Sequence, residues 1–208
     1  RPAAGLLEVP AGCDWDALVR RTTGAGLWGI ENLALVPGRV GAAPVQNIGA
    51  YGQELAETCV AVRALDRRSG CFEVLAAADC AFAYRDSRFR SEPERWLITA
   101  VVLELRSEGT ARLDYPALRD AVDGAAPEHP AAVAELVASV RRRRLPDPAR
   151  TPNAGSFFKN PVLTQAAFDR LRGMRPDCPG RAEGAGIKVP AAWLIEQGGW
   201  RGHRCGGL

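Results

Sequence analysis

The chain is poor in lysine and histidine, and each scarcity excludes something. Of 27 basic residues among 208, only Lys159 and Lys188 are lysine, so any cationic surface must be built from guanidinium groups. His129 and His203 are the only histidines. Neither stands at metal-ligand spacing, and with no G-x-S-x-G turn a serine nucleophile activated by histidine is not expected. The six cysteines, at 13, 59, 71, 80, 178 and 205, form no C-x-x-C pair; they read as reduced thiols, mostly small core residues, and no metal site is expected. No apolar run nears the roughly 18 residues that cross a bilayer, and no basic-then-apolar leader opens the chain, so neither a membrane nor export is expected. A formal net charge of +3 is too small to imply nucleic acid. The run from Arg141 to Arg144 has no interleaved aromatics and reads as a solvated helix end.

What remains is an ordinary globular composition, 47% hydrophobic and 25% charged, in a chain long enough for one large domain or two small ones. Residues 6–9 read as a strand and Asp14 as the cap of a helix carrying Trp15, Leu18 and Val19, which ends in Gly24-Ala25-Gly26. Residues 31–36 read as a short apolar turn or helix, and 60–66 with 71–75 as a β-hairpin across Arg67-Arg68-Ser69-Gly70. The near-continuous apolar stretch 96–105 suits the centre of a sheet. Pro130 opens a helix over 130–144 whose face is Val133, Leu136, Val137 and Val140, and Leu145-Pro146-Asp147-Pro148 stops it. A domain boundary is placed there, giving domains 1–145 and 146–208. The second holds helices near 164–171 and 191–197, with a Pro/Gly-rich loop over 175–186 between them.

Residues 37–52, P-G-R-V-G-A-A-P-V-Q-N-I-G-A-Y-G, carry four glycines, two prolines and no acidic side chain. Such a backbone can approach a bulky ligand closely, and its successive N–H groups favour an anion such as a pyrophosphate; the alternative is a plain surface turn cluster. Three further features carry possible chemistry. Tyr84-Arg85-Asp86-Ser87 offers a guanidinium fork that can hold a carboxylate or pair locally with Asp86. Ser156 stands between Asn153-Ala154-Gly155 and Phe157-Phe158, where a hydroxyl held beside aromatic bulk could deliver a proton or simply bond to a turn. Tyr115, before Pro116, reads as a turn aromatic.

Together, the run from Glu31-Asn32-Leu33-Ala34 to Gly52, the segment 84–87 and Pro152-Asn153-Ala154-Gly155-Ser156-Phe157-Phe158-Lys159-Asn160-Pro161 closely resemble the UDP-N-acetylenolpyruvoylglucosamine reductase family, in its order and over nearly the whole chain. The resemblance implies an α+β fold: a vanillyl-alcohol-oxidase-like FAD-binding lobe over 1–145, then part of a smaller substrate domain. It implies FAD and NADPH as cofactors and a UDP-sugar as the small-molecule partner, in a cytoplasmic, monomeric enzyme of cell-wall precursor synthesis. The flavin would lie against Gly41, Ala42, Ala43, Pro44, Gln46, Asn47, Gly49, Ala50, Tyr51, Gly52 and Ile98. Ser156 would be the proton donor and Arg85 the partner of the substrate carboxylate. Tyr84, Tyr115, Lys159 and Asn160 would bind substrate. Arg144 departs from the family, which carries a lysine near this place. The chain opens on Arg1 and closes on Gly206-Gly207-Leu208, so both ends read as cuts. The resemblance places another flavin-phosphate loop before them and a catalytic glutamate after, and the 208 residues alone are expected to bind FAD weakly and turn over little.

Overall fold

Residues 5–10 alternate between covered and exposed positions, with Val9 buried, and form strand β1 (Gly5–Pro10) in the computed structural model, which describes residues 5–147, 150–151, 157–203 and 205. Asp14 caps helix α1 (Trp15–Gly24), its carboxylate accepting from the Ala17 amide at 2.9 Å. The face of α1 with Trp15, Leu18, Val19 and Thr22 is buried, and the Trp15 indole donates to the Leu33 carbonyl at 3.1 Å. That carbonyl belongs to a single 3-10 turn, Glu31–Leu33, which leads into the glycine-rich loop. The loop ends in two-residue strands, β2 (Gly49–Ala50) and β3 (Gln53–Glu54), paired across Tyr51 and Gly52. Strands β4 (Cys59–Asp66) and β5 (Cys71–Ala76) form the hairpin read from the sequence. A short helix α2 (Arg88–Ser91) precedes β6 (Trp96–Leu105); α3 (Pro116–Arg119) and α4 (Pro130–Arg144) follow.

The four long strands make one antiparallel sheet in the order β1-β6-β4-β5, with the most apolar strand inside. Val62, Ala64, Val101, Leu103 and Leu105 line its inner face and share one core with Trp15, Val19, Val137 and Val140. Helix α4 packs on α1 and on the Glu31–Leu33 turn. Across the outer face Leu65 pairs with both Phe72 and Leu97, and these last two side chains are exposed.

By its contacts the chain divides into two compact units, Arg1–Thr151 and Pro152–Leu208. In the second, β7 (Val162–Leu163) is followed by α5 (Gln165–Met174), β8 (Arg181–Glu183), β9 (Gly186–Lys188) and α6 (Ala191–Gln197). The strands form an antiparallel sheet in the order β7-β9-β8 around Phe168, Cys178 and Val189. Here the sequence reading needs correction, since 175–186 is not all loop: three residues of β8 pair with β9 across Gly184, at φ +57°. Strands of three residues are too short to show alternation. The cysteines also differ from expectation. Cys59, Cys80 and Cys178 are buried, but Cys13, Cys71 and Cys205 are exposed, because Cys13 lies in a turn and Cys71 on an edge strand.

Candidate active site

The glycine-rich loop is seated on β1's end. The Gly41 amide donates to the Ala11 carbonyl at 2.9 Å, and a Cβ on residue 41 would meet the Ala11 Cβ at 2.6 Å, so only glycine fits there. Ala43, Pro44, Asn47 and Ile48 are buried, while Ala42, Gln46 and Gly52 face outward. Asn47, at φ +44°, is the loop's internal anchor: its amide nitrogen donates to Glu54 at 2.8 Å and to the Ala83 carbonyl at 3.2 Å, and its oxygen accepts from the Ala56 amide at 2.9 Å. Tyr51 and Gly52 both have positive φ, +49° and +80°, as the two-residue hairpin between β2 and β3 requires. Below it lies a buried polar layer in which Asn32 donates to the Tyr51 and Arg112 carbonyls, each at 2.9 Å. Ile98 is half-buried on β6, opposite Ala64.

The second motif folds back onto this loop. Ala83 and Asp86 exchange two backbone hydrogen bonds of 3.0 Å, making Tyr84 and Arg85 the centre of a tight turn. Arg85 has φ +54°, a strained conformation for a residue with a side chain. Its guanidinium lies 5.4 Å from the centroid of the half-buried Tyr84 ring. Arg85 Nη2 donates to the Gly49 carbonyl, while Nη1 is buried and has no hydrogen-bond partner among the described residues. Buried Ser87 donates from Oγ to the Val45 carbonyl at 2.8 Å. Three hydrogen bonds, from Arg85, Ser87 and Asn47, therefore join two segments nearly forty residues apart.

Tyr51 also meets the end of α4. Its ring packs edge-on against Tyr115, with centroids 5.1 Å apart, and the Arg141 guanidinium acts electrostatically on its hydroxyl. Burial raises the Tyr51 phenol above its ordinary value, with Arg141 and Arg144 acting in the opposite direction; burial likewise lowers the Arg141 guanidinium. The expected solvated arginine end is thus only partly solvated. Arg142 and Arg143 face solvent, Arg142 pairing with Glu135 at 2.7 Å, whereas Arg141 turns inward. Helical spacing carries the signal, because Arg141 follows Val137 by four residues and Val133 by eight, on the buried stripe.

In the second unit, Ser156 lies outside the described residues. Phe157 and Phe158 pack edge-on against each other but are 81% and 61% exposed, so among the described residues of this unit they form no dry pocket. Lys159 is exposed. Asn160 accepts from the Ala191 amide at 2.8 Å, and with the bond from Val189 N to Pro161 O this fixes the motif's end to the start of α6. Lys188 pairs with Glu183 at 3.0 Å. No cluster of metal-ligating side chains exists among the described residues, and no described helix is long and apolar enough to cross a membrane. Sequence reasoning missed Ser87 as a tie, because a serine before a short helix signals only a cap.

An antiparallel α+β unit with an acid-free, glycine-rich loop belongs to a known class: residues 1–74 match the family model described as "FAD binding domain". Residues 147–208 match "UDP-N-acetylenolpyruvoylglucosamine reductase, C-terminal domain". The UDP-N-acetylenolpyruvoylglucosamine reductases of Pseudomonas putida and Xanthomonas axonopodis are 45% and 49% identical to this chain over 97% of its length, which is 60% and 59% of theirs. The crystal structure of the reductase from Thermus caldophilus shares the fold, at TM-score 0.54 and 23% identity, over 92% of this chain and 67% of that one. Over nearly its whole length the chain is similar to UDP-N-acetylenolpyruvoylglucosamine reductases, and it spans about 60% of the length of the curated relatives it matches. Its residues fit an anionic flavin cofactor: Arg85 keeps an orphan donor beside Gly49, and the loop presents no carboxylate over 37–52.

Proposed function

We propose that this chain forms the flavin-holding lobe, residues 1–145, and part of the substrate domain, residues 146–208, of an enzyme that reduces UDP-N-acetylglucosamine enolpyruvate to UDP-N-acetylmuramate. The observation that carries this reading is the meeting of the glycine-rich loop with the Tyr84–Arg85 turn, in a chain whose later residues match the reductase's own C-terminal domain. When bound, FAD reduced by NADPH would supply hydride chemistry toward C3 of the enolpyruvyl ether. The exposed atoms of Ala42, Gln46 and Gly52 and the backbone of Gly41, Ala43, Pro44, Gly49 and Ala50 would hold the cofactor, with Ile98 beside it. Asn47 contributes by shaping the loop.

Arg85 is the residue suited to the enolpyruvyl carboxylate. Its free Nη1 offers a charge-assisted donor, and its hold strengthens as negative charge builds on the carboxylate during reduction. Ser156 delivers the proton to C2, completing the reduction. Tyr84, Tyr115, Lys159 and Asn160 bind the rest of the UDP-sugar, and Arg144 takes the cationic place near Tyr51 that the family gives to lysine. The enzyme is read as a cytoplasmic monomer. The test is turnover of UDP-N-acetylglucosamine enolpyruvate with NADPH by the flavin-loaded enzyme. Ser156→Ala should leave flavin reduction by NADPH within about twofold and lower enolpyruvyl reduction by at least ~100-fold. An enzyme that holds FAD, accepts electrons and leaves this substrate unchanged is instead another FAD-linked oxidoreductase of the same fold.

A further inference from the structure

We infer that Ser87 is a positioning residue for Arg85, joining the turn that presents the guanidinium to the loop that receives the flavin. The inference rests on the assignment of Arg85 to the substrate carboxylate. Arg85 stands at φ +54° in a turn closed by the two backbone hydrogen bonds between Ala83 and Asp86, with Arg90 Nη1 donating to the Arg85 carbonyl at 3.3 Å. A strained conformation persists only where its surroundings over-determine it. Here the surroundings are ties to the glycine-rich loop. Ser87 Oγ donates to the Val45 carbonyl at 2.8 Å, from a site only 2% exposed, and Asn47 donates to the Ala83 carbonyl at 3.2 Å. The two bonds grip the turn from either side of Tyr84 and Arg85, and Arg85 itself reaches the Gly49 carbonyl between them.

Arg85 Nη1 is thereby left aimed and unpaired, 2.7 Å from where a side chain on residue 49 would begin. The loop carbonyls of Val45 and Gly49 set the angle of the guanidinium. Seating the cofactor and gripping the substrate carboxylate then use one rigid piece. Asn47 is bound to Glu54 and Ala56 as well, so its loss would disturb the loop itself. Ser87 is the cleaner probe. Its hydroxyl has one short bond to the loop and a weak 3.4 Å acceptance from the Arg90 amide.

The experiment is a double-mutant cycle of Ser87→Ala and Arg85→Ala in the flavin-loaded enzyme. Binding of UDP-N-acetylglucosamine enolpyruvate is read from the flavin absorbance shift. Amide exchange of the ligand-free protein over residues 83–87 is read separately. Ser87→Ala should weaken substrate binding about three- to tenfold, the range expected for one hydrogen bond, and change flavin affinity and NADPH-driven flavin reduction less than twofold. It should have no further effect when Arg85 is already alanine. The Asp86 amide should exchange faster in Ser87→Ala with no ligand present. An equal loss of substrate affinity in both backgrounds overturns the proposal, as does unchanged exchange at Asp86. If Arg85→Ala alone leaves substrate binding intact, the role given to Arg85 fails instead, while the exchange result still reports on the tie. Should Ser87→Ala fail to fold, Ser87→Cys, which keeps the volume and donates weakly, takes its place in the same cycle and should give the smaller loss.

Discussion

Glycine at residue 49 illustrates how tightly single positions are set. An alanine there would place its Cβ 2.7 Å from Arg85 Nη1, 2.9 Å from Glu54 Cγ and 3.2 Å from the Gln53 carbonyl oxygen. The long side chains can shift, but the carbonyl belongs to β3 and cannot move far. Gly49→Ala is therefore expected to cost about 1–3 kcal/mol of stability by overpacking. It should also displace the guanidinium, weakening substrate binding more than flavin binding; urea unfolding and the two titrations check this. The thiols make a second case at this scale. Burial, together with neighbouring Cys80, pushes the Cys59 thiol up to about 12, and burial beside Asp79 pushes Cys80 to about 11. At pH 8 neither is a thiolate. Iodoacetamide should label exposed Cys13 and Cys71 in the native protein and reach Cys59 and Cys80 only after denaturation, as peptide mass spectrometry would show; labelling of Cys59 as fast as Cys71 would contradict the assigned burial.

At the scale of elements, the connection into β6 depends on Arg95. It donates twice to Asp66 on β4, at 3.0 and 2.8 Å, once to Glu92 at 2.8 Å, and lies over the Trp96 ring at 4.4 Å. These hydrogen bonds hold the Asp66 carboxyl below the ordinary aspartate range. A carboxyl lowered in the folded state adds stability that is present above its unfolded value, near pH 4, and is lost as pH falls through the folded one. Urea unfolding from pH 7 down to pH 2.5 should show that acid loss in the natural protein and a flatter profile in Asp66→Asn, which starts less stable at pH 7. Within β6, Leu103→Ala removes a fully buried side chain and should cost about 3 kcal/mol, against less than about 1 kcal/mol for exposed Leu97→Ala. Strand β6 and helix α4 were legible from the sequence to the residue, since each has a long apolar pattern and a clear start: Pro130 at the first turn of α4, Trp96 leading the run of β6. Asp14 was legible as a cap for the same local reason. Strands β8 and β9 were not, because three residues carry no period. The loop–turn junction was half legible. Both motifs stand out in the sequence, but the bonds from Ser87 and Asn47 go to backbone carbonyls some forty residues away, and carbonyls have no sequence signature.

Across the whole molecule, the two units differ in how much core they own. The first buries more than twenty apolar side chains around one sheet, whereas the second, Pro152–Leu208, is centred on Phe168, Cys178 and Val189 with Leu163, Leu171, Ile187, Trp193 and Leu194 packed around them. A domain of this size retains only a small margin of stability. Phe168 is its keystone by geometry as well as volume: a Cβ on Gly180 would lie 2.4 Å from the ring's Cζ, so backbone and ring already touch. Phe168→Ala removes about 3–5 kcal/mol of packing, comparable to the unit's whole margin. The expected outcome is selective. Amide protection in α5, β9 and α6 should collapse, while β1, β4 and β6 keep theirs, and the enzyme should retain flavin while losing turnover. Uniform loss of protection across both units would show that they unfold as one, and that the cores drawn apart by their contacts are joined in their stability.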